Sequence, residues 1–272
     1  MPACSVVVAF YNKLRELELV LAGFERQSFR DFEIIIADDG SRPEVVTDLE
    51  ALMARSPLRI RHVWQEDRGF RKNRILNQAI LAADSDYLIF VDGDCIPHRH
   101  FVAGHWRQRE AGVFLTGRRA NLSEGLSARL TPEAVRQGVL ERLWGPLTWD
   151  ALLGRSQRLE QAVYLRSPRL QAWINRKPRG LIGCNMSMWR ADLEAIGGFD
   201  ERYQAAGVGE DTDVEYRLRL AGRRLRSINN IAVQYHLYHR LLPRDPRNDA
   251  LFAETRARGE AWTPYGLHRD EA

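Results

Sequence analysis

The chain has 272 residues, 44% of them hydrophobic, enough to bury one large core or one core with a subdomain. Forty basic against 36 acidic residues give a net charge of +4 and a pI near 9.1, a balance that suits anionic partners such as nucleotides, phosphorylated glycolipids or a membrane surface. Three scattered cysteines, Cys4, Cys95 and Cys184, argue against a disulfide framework and fit a reducing cytosol, and no apolar run approaches the roughly 18 residues of a membrane span.

The first hundred residues alternate strand and helix. Ser5–Phe10 reads as a buried strand, too short and too weakly flanked for a signal peptide. Tyr11-Asn12-Lys13 breaks it, and Leu14, Leu17, Leu21 and Phe24 then recur at helical spacing through Gln27. Glu33–Ala37 is a second strand, ending in Asp38-Asp39-Gly40-Ser41. Pro43 opens a helix carrying Val46, Leu49 and Met53. Leu58–Trp64 alternates as a third strand, and Arg71–Ala83 is a helix with Ile75, Leu76, Ala79 and Ile80 on one face. Tyr87-Leu88-Ile89-Phe90-Val91 is a fourth strand, running into Asp92-Gly93-Asp94. This order predicts a mostly parallel sheet in three layers with right-handed crossovers. Polar clusters follow three of the four strands at one sheet edge, where open α/β sheets bind ligands. Paired carboxylates there suit a nucleoside diphosphate with bound metal, one holding a hard cation and the other a hydroxyl. A plain polar turn accounts for Asp-Gly equally well.

Residues 121 to 180 differ in character. Ser123–Gln137, Gly138–Leu153 and Gln157–Trp173 read as helices, rich in arginine and carrying Trp144, Trp149 and Trp173. Such a stretch either lies on a membrane or lines an acceptor groove, or it is a small helical subdomain with aromatics as its core. Leu181–Trp189 reads as a further strand, and Gly197-Gly198-Phe199-Asp200 as a turn. Gly209-Glu210-Asp211-Thr212-Asp213 opens a helix, Val214–Ala221, that stops at Gly222. A capping box of Thr212 and Glu215 explains part of that acidic cluster. It does not require three carboxylates in four positions. The segment from Leu242 on, rich in Pro, Arg and Asp, reads as a surface tail. The organisation expected is therefore 1–120, an Arg/Trp-rich helical insertion at 121–180, a second half at 181–241, and a tail at 242–272.

Five motifs occur in order: Val6-Val7-Val8-Ala9-Phe10-Tyr11-Asn12, Asp38-Asp39-Gly40-Ser41, Asp92-Gly93-Asp94, Gly197-Gly198-Phe199-Asp200 and Gly209-Glu210-Asp211-Thr212-Asp213. Together they resemble glycosyltransferase family 2, with the GT-A fold. The second half is similar to the galactosyltransferase-type region of bacterial chondroitin polymerase and β-1,4-galactosyltransferases. The resemblance covers about residues 3–120 and 180–240. It implies inverting transfer of a sugar from a nucleotide donor, usually a UDP-sugar, to a glycan or lipid-linked acceptor. Asp94 is then the ligand of Mn²⁺ or Mg²⁺, and Asp92 holds the ribose or reaches the metal through water. Phe10, Tyr11 and Asn12 pack against the nucleobase, Asp39 accepts its N–H, and Arg71 at a helix start serves the diphosphate or base. Gly93 and Asn185 complete the expected donor site. Asp211 matches the general base, with Glu210 on the donor sugar or acceptor. His236 and His239 match the late histidine that supplies a nitrogen ligand to the cation. The relatives carry Gly-Trp-Gly-Gly where this chain has Ala205-Ala206-Gly207-Val208-Gly209, so galactose specificity does not follow.

Two other readings compete. Sugar-phosphate nucleotidyltransferases share a similar sheet but begin with a Gly-rich phosphate loop after the first strand, which Phe10-Tyr11-Asn12 does not supply. A non-enzymatic basic module would bind anions in a salt-dependent way, indifferent to Mn²⁺. All but three of the basic residues are arginines, a skew that follows genome composition as readily as function and is not read as nucleic-acid binding. The location expected is cytoplasmic, with peripheral contact to the inner face of the membrane.

Overall fold

The computed structural model describes residues 1–142, 148–150, 152–205, 207, 209–240 and 245–267, apart from the Glu210 side chain. The expected alternation is present: β1 (Cys4–Phe10), α1 (Leu14–Phe24), β2 (Phe32–Asp38), α2 (Pro43–Arg55), β3 (Ile60–Trp64), α3 (Lys72–Ala82) and β4 (Tyr87–Asp92). Alternation along each strand sorts side chains between two layers. Val6, Val8, Ile34 and Ile36 pack with Leu17, Val20 and Leu49 of α1 and α2. Val7, Ile35, Leu88 and Phe90 face the other way, onto Ile75, Leu76 and Ile80 of α3. Burial on both faces explains why these strands are continuous apolar runs.

Beyond β4 come β5 (Cys95–Pro97), α4 (Phe101–Gln108), β6 (Val113–Thr116), β7 (Ala120–Asn121), β8 (Met186–Trp189), β9 (Arg224–Ser227) and β10 (Gln234–His236). The main sheet has the order β3-β2-β1-β4-β8-β6-β9. Strands β3, β2, β1 and β4 are parallel, whereas β8 runs antiparallel to both β4 and β6. The order reverses between β1 and β4, which makes their C-terminal ends the topological switch point where such sheets open a crevice. A second sheet, β5-β10-β7, stands at that end.

Three expectations are corrected. The strand expected over Leu181–Trp189 is confined to Met186–Trp189, with a turn before it. The three helices expected between 123 and 173 are short pieces, Glu124–Arg129, Pro132–Arg136 and Pro168–Ile174, with helical residues at 148–150 and single 3₁₀ turns at Val139–Glu141 and Leu159–Ala162. Pro132 and Pro168 open new helices at their first turns, and Gly138 with φ 77° closes one. The capping box is absent: the helix starts at Glu210 behind Gly209, and Glu215 instead accepts the Leu181 N–H at 2.5 Å. The C-terminal tail carries the helix Pro246–Arg258 and then docks, with the Thr263 N–H bonded to Ile196 O and Leu267 N–H to Gly197 O. Trp144 lies outside the described residues.

Candidate active site

Register decides what meets at the sheet edge. Phe10 is paired with Asp38 and Ala9 with Asp92, so the strands end level. The last residues of β1 then strap both acidic loops: Asp39 N–H bonds Phe10 O at 3.0 Å, and Gly93 N–H bonds Ala9 O at 2.8 Å. A Cβ at Gly93 would sit 2.8 Å from that same carbonyl oxygen, which is why the middle residue of Asp-Gly-Asp has no side chain. A cavity of about 540 Å³ opens above this edge, lined among others by Phe10, Tyr11, Asp39, Asp92, Gly93, Asp94 and His239. Its size is that of a small-ligand pocket.

Asp94 brings the histidines together. Strand β10 pairs antiparallel with β5, His236 opposite Cys95, and Leu237 N–H bonds Asp94 O at 2.9 Å. His236 Nε2 is thereby 3.6 Å from Asp94 Oδ1 and His239 Nε2 is 3.3 Å from Asp94 Oδ2, with 3.0 Å between the two imidazole nitrogens. Burial, with Arg119 beside it, pushes the His236 pKa down to about 4 against the pull of Asp94. The imidazole is therefore neutral and its lone pair can bind a metal. One carboxylate and two imidazoles within about a ligand–ligand separation of each other fit a divalent first-row cation. The Cys95 Sγ lies 3.7 Å from Asp94 Oδ1, at the edge of the same cluster.

Three cations that the motif analysis passed over complete the site. Lys13 Nζ is 3.3 Å from Asp94 Oδ2, Lys72 Nζ is 2.8 Å from Asp92 Oδ1, and an Arg119 nitrogen is 3.8 Å from Asp92 Oδ2. Burial alone would raise the Asp92 pKa, but Lys72 and Arg119 hold it below the ordinary value. Lys13 and Lys72, with Arg240, line the cavity. A signal for them was present: the chain has only three lysines, and two of them face one pocket. Gly69 and Phe70 form another part of the wall, as does Tyr11, whose hydroxyl bonds Asp67 at 2.9 Å.

Several of the expected donor residues are also bonded within the protein. Asn12, at φ 56°, shapes a turn: its N–H bonds Ser41 Oγ and its Oδ1 accepts the Arg42 N–H. Arg71 does not line the cavity; its backbone N–H bonds Asp39 Oδ2 at 2.8 Å and its guanidinium bonds Glu66 O. Asp39 also accepts from Gln65, and burial raises its pKa against these bonds. Asn185 is fully buried and away from the cavity. Its amide bridges Arg118 O and Ala232 O, and its oxygen meets His105 Nε2 at 3.1 Å. These bonds join the segments at Arg118 and Ala232.

Asp211, on the first turn of Glu210–Leu220, accepts the Thr212 N–H at 2.6 Å and the Gly183 N–H at 3.3 Å. It is not among the residues lining the donor cavity. The Glu210 side chain is outside the described set. Asp213 has a structural role: it is buried against Arg217 at 2.6 Å, and Arg217 also bonds the carbonyls of Ile196 and Gly198. That arginine ties the helix to the Gly197-Gly198-Phe199-Asp200 turn, which Asn73 and Asn77 clamp to α3 through Asp200 O and Phe199 O.

The fold, a sheet that reverses order beside β1 with Asp-Gly-Asp at the switch point and a small second sheet beside it, is that of GT-A glycosyltransferases. The chain belongs to glycosyl transferase family 2, whose model matches residues 5–197. A second model, described as the N-terminal domain of galactosyltransferase, matches residues 171–240. Validoxylamine A glucosyltransferase of Streptomyces hygroscopicus subsp. jinggangensis is 29% identical over 242 residues, covering 82% of this chain and 52% of its own. Chondroitin synthase of Pasteurella multocida is 25% identical over 242 residues, 85% of this chain and 24% of its own. The chain thus spans about half, or a quarter, of the length of these relatives. Among solved structures, the mannosyltransferase PcManGT of Pyrobaculum calidifontis, in complex with GDP-Man and Mn²⁺, superposes with a TM-score of 0.58 at 18% identity, covering 95% of this chain and 61% of that one. Residues 1–349 of S. aureus TarS with UDP give 0.59 at 16% identity, covering 94% and 64%. No helix among the described residues is long and apolar enough to cross a membrane.

Proposed function

We propose that the protein transfers a sugar, with inversion, from a nucleoside diphosphate donor (a UDP-sugar) to a glycan or lipid-linked acceptor in cell-surface polysaccharide or lipopolysaccharide synthesis. The observation that carries this reading is charge. Asp39, Asp92 and Asp94 line the same cavity as Lys13, Lys72 and Arg240. Lys72 and Arg119 already offset Asp92, but Asp94 has only the half-exposed Lys13 as a permanent cation beside it, so a diphosphate there is repelled unless a further cation sits between them. Asp94, His236 and His239 are the residues that would hold that cation, Mn²⁺ or Mg²⁺; when bound, it offsets the charge building on the departing diphosphate.

The protein's own groups do the rest. The Tyr11 ring and Phe10 flank the base, and Lys72 orients Asp92 toward the ribose. Lys13, now paired with Asp94, becomes free to meet a phosphate oxygen once Asp94 has another partner. Asp211, oriented by the Gly183 and Thr212 N–H groups, accepts the proton of the acceptor hydroxyl. The acceptor oxygen bonds to the anomeric carbon as the diphosphate leaves from the opposite face. The acceptor chain is assigned to a second cavity of about 570 Å³ lined by Arg129, Trp149, Arg155 and Tyr238, one residue along the chain from His239. The Trp149 and Tyr238 rings offer apolar faces for sugar rings, and Arg129 and Arg155 offer N–H donors to their hydroxyls.

A donor screen with free nucleotide as the readout, with and without Mn²⁺, tests the reading. Metal-stimulated release of UDP from a UDP-sugar, lost in Lys72→Ala, is the expected result. Absence of turnover with every nucleotide sugar under all metals would remove it.

A further inference from the structure

The helix Pro168–Ile174 buries none of its residues. Leu170, Trp173 and Ile174, spaced i, i+3 and i+4 on one helix face, are 50%, 62% and 37% exposed. The expectation that tryptophans of this region form a subdomain core fails for Trp173 and for Trp149, itself 66% exposed. Around this apolar face stand Arg166, Arg169, Arg176, Lys177 and Arg179, all exposed. None of the five forms an ion pair with a described residue. Between Glu160 and Asp192 the sequence has no acidic residue at all. An exposed charge face normally mixes signs, which limits self-repulsion. A face of one sign around a Trp, a Leu and an Ile is poorly suited to water alone.

We propose that this face docks on an anionic lipid bilayer, with Leu170, Trp173 and Ile174 entering the headgroup–acyl boundary and the five cations over the lipid phosphates. Charge complementarity selects the occupant, and the apolar triad distinguishes a bilayer from a soluble polyanion, which needs only the cations. The arrangement also has a direction. Directly after Arg179, Gly180 O bonds Arg118, Leu181 N–H bonds Glu215, and Gly183 N–H bonds Asp211. The docked surface is thus covalently continuous with the segment that orients Asp211. An acceptor whose lipid tail stays in the bilayer would present its hydroxyl on this side. That last point rests on the transferase reading; the docking itself does not.

The test is co-sedimentation of the full chain with vesicles of phosphatidylcholine alone or enriched in phosphatidylglycerol, at low and high salt. Wild type should bind the anionic vesicles and release at high salt. Arg169→Glu/Arg176→Glu should weaken binding roughly tenfold or more, at about one kcal/mol per surface cation. Leu170→Ala/Trp173→Ala, with charge unchanged, should weaken it severalfold while binding to soluble dextran sulfate stays as in wild type. Thermal melting of each variant and its UDP binding, which the surface changes leave alone, separate loss of docking from loss of fold or of donor chemistry. Absence of vesicle binding overturns the proposal. So does binding that Leu170→Ala/Trp173→Ala leaves unchanged, which would mark a polyanion surface instead of a membrane one.

Discussion

Asp94 and His236 stand 3.6 Å apart, Oδ1 to Nε2, because the strand that begins at Cys95 pairs antiparallel with the one that ends at His236. A carboxylate two residues past the fourth strand thereby acquires nitrogen neighbours from the tenth strand and the residues just after it. His236 is buried and held neutral, whereas His239 sits at the cavity wall.

This pairing makes the metal contribution separable by residue. Asp94→Ala should abolish metal-stimulated UDP release while circular dichroism and melting stay near wild type, since the carboxylate lines the cavity. His236→Ala should lower Mn²⁺ affinity more than His239→Ala, because its ring is already immobilised by the small sheet and loses little entropy on binding. Manganese titration of the three variants gives the order, and equal affinities in Asp94→Ala and wild type would refute the assignment.

Lys72 bears on the donor itself. Its ammonium is paired with Asp92 at 2.8 Å in a half-buried position. Lys72→Met should leave Asp92 without its strongest partner and weaken UDP binding roughly 10- to 100-fold, the scale of a charged hydrogen bond. Calorimetric titration of UDP in the presence of Mn²⁺ measures it. Undiminished UDP affinity would show that Lys72 serves only to neutralise Asp92.

Two acids two residues apart should behave oppositely. Asp211→Asn should keep the fold and UDP binding but lose about 10²–10⁴-fold in transfer rate, the usual contribution of a general base. Asp213→Ala leaves buried Arg217 unpaired and should cost about 3–5 kcal/mol of stability. Urea unfolding beside single-turnover transfer assays separates the two effects. Normal transfer by Asp211→Asn at full UDP occupancy would move the base elsewhere on the helix.

Acid sensitivity should come from buried histidines, His105 and His98 together with His236 of the site. Burial pushes the His105 pKa from 6.5 down to about 3 and the His98 pKa down to about 4. The unfolded chain binds the protons that the folded chain refuses, so stability falls as pH drops below 6.5 and keeps falling toward those values. The loss should reach a few kcal/mol by about pH 4. His105→Gln should be less stable at pH 7, having lost fitted bonds to Ser187 and Asn185, yet less sensitive to acid. Urea midpoints at pH 7.5 and 5.0 check this, and an unchanged pH slope would rule His105 out as the source.

Local sequence determined the first half of the fold because its signals are local. Strands buried on both faces must be apolar throughout, helices repeat at 3.6 residues, and the crossovers between parallel strands leave little topological choice. Phe10, Asp39, Asp92 and Asp94 could be placed at one edge from strand ends alone. The second half was less legible for the same reason: β5, β7 and β10 are two or three residues long, below the length at which alternation has a period. Their pairing is a long-range choice made by packing, and it alone decides that His236 meets Asp94. Tertiary context likewise turned Asn185 into a buried strut, Arg71 into a backbone anchor for Asp39 and Glu215 into a partner of Leu181. Each has polar groups that fit either a ligand or the protein's own groups. Only the surrounding backbone, already folded, determines which is within reach.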